Sequence, residues 1–177
     1  MSHWAPARQV LVAYWLCFAA ALGVYAAMVT WTLPGIAAEA GGLTPFDMRP
    51  FGYSHDEALA FLSALTDEGR RLYTGPQKML DAVYPAFLAI VLAGAVKHLF
   101  PRGVLYSLMM ACIVAGMAAD YLENMRVAIM LAGETSPDAI AAAARATVLK
   151  SSLTGIAMIV ILGRLIRTVW HKWTKND

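Results

Sequence analysis

Charge is what this sequence has least of. Only 15% of its 177 residues are Asp, Glu, Lys or Arg, against 59% apolar residues. A soluble domain carries about a quarter charged residues, so the deficit argues against an ordinary soluble fold and for a membrane protein. The basic residues are scattered and the formal net charge is only +2, which leaves no footprint for nucleic acid. Cysteine is nearly absent. Cys17 and Cys112 both sit in apolar runs without a CxxC spacing, so neither a disulfide scaffold nor a cysteine zinc site is indicated.

What is present is a set of long apolar runs. A bilayer core about 30 Å thick needs about 20 helical residues. Four stretches meet that length, near residues 9–33, 77–99, 103–131 and 138–168. The first follows Arg8 and precedes "AAEAGG", as a signal peptide does. Its apolar run is about twenty residues, longer than the 7–15 of a signal h-region, and it reads as a transmembrane helix. Pro34-Gly35 is expected to close this span, and Gly75-Pro76 to open the second with proline in a first turn. Phe100-Pro101 separates the second and third. "TSPD" opens the fourth, with Ser136 as N-cap and Asp138 on the positive end of the helix dipole.

Lys97 and Arg102 lie in the short connection between the second and third spans, and Arg167, Lys172 and Lys175 follow the fourth. The connection "LAGETSPDAI" has neither Lys nor Arg. By the positive-inside rule both termini are cytoplasmic, which requires an even number of spans. Trp170 and Trp173 are then expected at the inner interface and Trp31 at the outer one. The expected fold is all-α, a four-transmembrane-helix bundle forming one integral membrane domain over residues 1–177. Residues 34–75 become an extracytoplasmic loop. Its second half starts with Ser54 and Glu57 in a capping-box spacing. Ala58, Phe61, Leu62, Leu65 and Leu72 then share one face, which predicts an amphipathic surface helix over 54–73, either an interfacial cover or a lid.

Polar residues inside the spans carry the functional question. "AGMAADYLENMR" places Asp120, Glu123, Asn124 and Arg126 within the third apolar run. Counting about 1.5 Å per residue from the cytoplasmic side puts Asp120 roughly 6 Å below the outer boundary. Lys150 reaches a similar depth on the fourth span, with Arg145 just above it. On the second, Asp81 lies near the boundary and Tyr84 about one turn deeper. Three acids (Asp81, Asp120, Glu123) thus face three bases (Arg126, Arg145, Lys150) in the outer third. A charge at the centre of a membrane helix costs about 2.5–3.5 kcal/mol, so such groups must face inward and pair, or reach water. Thr147, Lys150, Ser151 and Thr154 form a matching stripe on the fourth helix. Ala111, Ala115, Ala118, Ala119, Ala141, Ala144 and Gly155 are expected to bring the helices close. Pro85 is expected to free a carbonyl that a neighbour satisfies. The result is a polar pocket opening outward beneath the surface helix, with Asp120, Glu123, Asn124 and Lys150 as its first candidates.

The strings "DAVYP" (81–85) and "DYLEN" (120–124), with "FDMRPFGYSHDEALAFLSALTDEGRRLY" before them, resemble a family of bacterial four-span integral membrane proteins. That family shows D-x-x-aromatic-P and D-x-x-E-N patterns, and the likeness covers roughly residues 45–130. It implies the four-span topology and a multi-pass protein of the bacterial cytoplasmic (inner) membrane, and it carries no activity.

Chemistry narrows the choices. Of the histidines, topology leaves only His55 near the cluster, so no histidine-rich metal site can form, and no metal or other cofactor is expected. No G-x-S-x-G elbow accompanies Lys150 and Ser151. General acid–base work by Glu123 with Lys150 remains chemically reasonable. Three readings follow. The first is a site that binds or acts on a lipid-like or amphiphilic small molecule. The second is an accessory subunit of a larger membrane complex, with the charges as structural glue. The third is a transporter, for which four spans without an inverted repeat would need a homo-oligomer. Membrane lipids are the common partner of all three.

Overall fold

Apolar runs that cannot satisfy their backbone in lipid must fold as helices, and four long ones result. The structure, a computed structural model, describes residues 5–174. His3 and Lys175 lie outside these residues, as does the side chain of Lys172. The elements are α1 (Ala5–Ala27), α2 (Leu33–Ala38), α3 (His55–Ala64), α4 (Asp67–Leu72), α5 (Lys78–Leu99), α6 (Val104–Leu131) and α7 (Pro137–Trp173), with no strand among the described residues. Four continuous helices are long and apolar enough to cross a membrane: Arg8–Ala38, Asp67–Leu99, Val104–Leu131 and Pro137–His171. The protein is a multi-pass, all-α membrane bundle.

Two boundaries differ from the sequence expectation, for one physical reason. Pro34 and Pro76 do not end their helices. A π turn, Met28–Thr32, joins α1 to α2, and a second, Tyr73–Gln77, joins α4 to α5. Proline lacks an N–H and its ring crowds the carbonyl four residues back. Widening the turn relieves that crowding: the N–H of Leu33 reaches Met28 O, and that of Lys78 reaches Tyr73 O, each five residues back. The two widened turns pack against each other.

The expected helix over 54–73 is also divided. Its first half is α3, whose capping box is complete: Ser54 Oγ accepts from the Glu57 N–H, and Glu57 accepts from the Ser54 N–H at 2.7 Å. That backbone N–H holds the Glu57 carboxyl below its ordinary range. The chain then turns extended at Leu65 and Thr66. Thr66 caps α4, which belongs to the second span, and its N–H donates to Glu39 O at 3.0 Å. Residues 39–66 therefore form a cover, tied at its base, over one end of the bundle. Its own core joins Phe46, Ala58, Phe61 and Leu65 to Val127, Met130 and Leu131 of α6 and Ile140 and Ala143 of α7.

α6 and α7 pack along most of their lengths, α5 lies against α6, and α1 packs mainly on α5. The α6–α7 seam differs from the expected one. Ala111, Ala115 and Ala118 are exposed, whereas Gly116 and Ala119 are buried. A Cβ at Gly116 would meet Thr154 Oγ1 at 3.2 Å, and Cys112 Sγ contacts Leu153 O at 3.3 Å. On α7 the seam runs through Ile140, Ala143, Thr147 and Ala157. Alanine suits lipid and helix seams equally well, so its positions did not set the rotation. Trp31, Trp170 and Trp173 all point outward.

Candidate functional site

Beneath the cover, the polar residues of three helices meet. Lys150 of α7 reaches across to α6, pairing with Asp120 Oδ1 at 3.1 Å and, more tightly, with Glu123 Oε2. The Glu123 side chain is 0% exposed, Asp120 11% and Lys150 18%. Glu123 Oε1 has no hydrogen-bond partner. Buried polar atoms are almost always satisfied; the Thr147 hydroxyl beside this carboxylate donates instead to Ala143 O, and the Tyr53 hydroxyl is likewise left without a well-formed bond.

A second polar chain runs from α1 to α5. Thr32, in the first π turn, donates its hydroxyl to Gln77 Oε1 in the second. Gln77 Nε2 donates to Asp81 Oδ1 at 2.9 Å. Both Thr32 and Gln77 are fully buried. The two widened turns thus meet through a buried pair of polar side chains.

Asn124 has a role that its spacing alone does not reveal. Pro85 cannot donate to the carbonyl of Asp81, four residues back. Asn124 Nδ2 donates to that carbonyl at 3.1 Å, as the kink at Pro85 requires of some neighbour. One turn earlier on α6, Tyr121 Oη donates to Ala82 O at 3.1 Å. Asn124→Leu is therefore expected to orphan the Asp81 carbonyl and cost about 1–3 kcal/mol, read as a lower thermal midpoint in detergent.

The cover adds groups that sequence reasoning missed. Asp47 accepts from the Tyr73 hydroxyl. The Tyr53 hydroxyl is buried beside Thr147 and Glu123 without a well-formed hydrogen bond, and burial raises its pKa. Thr147 donates to Ala143 O at 3.2 Å. In the sequence Asp47 is only a carboxylate in a Gly/Pro-rich loop, between Phe46 and Met48.

The remaining candidates sit apart from this centre. Tyr84 stacks on Tyr25 of α1, with ring centroids 6.1 Å apart. Arg145 is exposed, and neither it nor Arg126 joins an ion pair among the described residues. The expected balance of three acids and three bases is instead Asp47, Asp81, Asp120 and Glu123 around the single amine of Lys150.

The sequence led to the expectation of a polar pocket opening outward; among the described residues no open pocket is seen at this centre. A cavity of about 10 Å³ borders Asp120, Gly116 and Thr154, room for one water at most. A larger concavity, about 490 Å³, lies in the cover itself, between residues 42–52 and α3. No group of three or more metal-ligating side chains converges among the described residues. No protein-family model, curated protein or solved structure matches the chain. The reading of the site rests on its geometry.

Proposed function

We propose that this membrane protein binds the polar head of a lipid-like amphiphile at the Asp120–Glu123–Lys150 centre, with Asp81 and Asn124 beside it. The observation that carries this reading is the fully buried Glu123 carboxylate with an unanswered oxygen. A bundle built only for stability gains nothing from such an atom, because a buried ion pair is commonly replaceable by apolar residues without loss. With the Thr147 hydroxyl beside it spent on Ala143 O, we take a ligand donor as its partner.

Access requires the cover to move. Gly41 and Gly42 on one side and Gly52 on the other take positive φ angles of 65°, 85° and 84°, which bound a short segment by hinge-capable residues. At Gly52 a side chain would also press on Val148 Cγ2 at 3.1 Å. The covered end is assigned to the extracytoplasmic side. Lys97, Arg102 and Arg167 lie toward the opposite end, and the connection over 132–136 carries no basic residue. The ligand then comes from the outer leaflet of what the family resemblance implies is a bacterial cytoplasmic membrane.

The test is solvent extraction and mass spectrometry of protein purified in dodecyl maltoside. Wild type is expected to retain an amphiphile that Glu123→Gln loses. Equal retention by both, or none by either, contradicts the reading. One observation favours a second reading, an accessory subunit held together by charge: Lys150 bridges both acids of α6. Stable co-isolation with a larger membrane complex, with nothing bound in the site, would support it.

A further inference from the structure

Resting on that reading, we infer that the head group is an organic cation, an alkylammonium or quaternary ammonium. Three independent features point to it.

The first is the imbalance of charge. Lys150 meets Asp120 Oδ1 at 3.1 Å and Glu123 Oε2, Asp81 follows on α5 through Gln77, and Asp47 of the cover holds Tyr73, so four carboxyl groups gather at a site whose two nearby cations are Lys150 and, at the cover's aromatic wall, Arg49. Arg126 and Arg145 do not offset it, since neither forms an ion pair with these carboxylates. In a low-dielectric interior such an excess repels an anionic head and attracts a cation.

The second is the orphan acceptor. Glu123 Oε1 is buried with no hydrogen-bond partner, while Oε2 of the same carboxylate already holds Lys150. An ammonium N–H, or the polarised methyl groups of a quaternary ammonium, would meet it.

The third is that the wall beside Asp47 already accommodates a cation. Phe46 packs with Tyr53, Phe61 and Tyr73 at centroid distances of 4.7, 4.8 and 6.5 Å. The guanidinium of Arg49 lies 5.8 Å from the Phe46 centroid and 5.9 Å from those of Tyr53 and Phe61. Aromatic faces with adjacent carboxylates are the groups that recognise quaternary ammonium. Arg49 is tethered by two hydrogen bonds to Thr44 O, at 2.9 and 2.7 Å. It also borders the 490 Å³ concavity, where exposed Phe51 and Met48 offer apolar contact to an alkyl chain. An incoming cation would take the ring faces as Arg49 swings toward solvent.

Equilibrium dialysis of the full chain in dodecyl maltoside tests this, with dodecyltrimethylammonium, tetramethylammonium, dodecyl sulfate and dodecanol as probes. Dodecyltrimethylammonium is expected to bind saturably, and Asp47→Asn or Glu123→Gln to weaken it by about tenfold or more. Asp47 lies in the cover, and Asn keeps an acceptor for Tyr73, so this variant answers even if Glu123→Gln fails to fold. Dodecyl sulfate and dodecanol are expected to show only the partitioning of empty micelles. If tetramethylammonium binds as tightly, the inference stands with a free cation as the source; if it does not, the source is lipid-like. Saturable binding of dodecyl sulfate or dodecanol that both variants leave unchanged overturns the cationic head while the amphiphile site survives. No saturable binding by any probe, with no retained amphiphile on extraction, overturns both.

Discussion

Lys150→Met is expected to lower stability by about 3–5 kcal/mol, the usual loss when one partner of a buried charge pair is removed. The size follows from what remains. Asp120 and Glu123 lose their shared counter-charge at a depth where the Glu123 side chain is 0% exposed. Methionine fills the space of the lysine stem, so packing is roughly kept and the change isolates charge. A thermal midpoint in mild detergent reads the loss. The double variant Lys150→Met/Glu123→Gln is expected to recover part of it, since one unpaired carboxylate is gone. Full additivity of the two single effects would mean that they do not act on one another.

Gly94→Leu is expected to be the most damaging single change in the apolar part of the molecule. α1 packs mainly on α5, and its approach depends on Gly94: a Cβ there would overlap the ring of Tyr14. Tyr14 is also fixed by donating its hydroxyl to Val91 O at 3.2 Å. A leucine must push α1 away or expel the ring, either of which breaks that bond. Overpacking of this kind costs about 1–3 kcal/mol, and here it falls on the main contact of a whole helix. Spin labels on α1 and α5 would report a longer, broader distance distribution. Gly23 on α1 meets nothing within 4 Å, so Gly23→Leu is the matched control and is expected to leave the distance unchanged.

These effects also mark how far the fold can be read from the chain. Number of spans, helix-packed architecture and the common depth of Asp120 and Lys150 follow from run lengths and a rise of about 1.5 Å per residue. The Ser54–Glu57 box and the carbonyl freed by Pro85 are local rules, and both appear as geometry. Pro34 misled because a proline normally ends a helix, and Pro76 because it normally sits in a first turn; only a facing partner explains why a π turn carries each helix on instead. Arg126 and Arg145 shared the right depth but not the right rotation. Depth grows along the axis and tolerates error, whereas a few tens of degrees of rotation move a side chain from core to lipid. Asp47, Tyr53 and Gln77 were not legible as site residues at all. Their placement depends on how the cover folds back over α6 and α7, which no periodicity within the loop encodes.

The central claim is that the buried acids are kept for a ligand and do not hold the bundle together. The most direct measurement is the thermal midpoint of Glu123→Gln beside that of Lys150→Met, in the same detergent. Glutamine removes one negative charge from an acid-rich site, and Lys150 keeps Asp120 at 3.1 Å. The account predicts a midpoint equal to or above wild type for Glu123→Gln, as expected of groups that serve function at the expense of stability. A fall as large as that of Lys150→Met would contradict it and make the cluster structural.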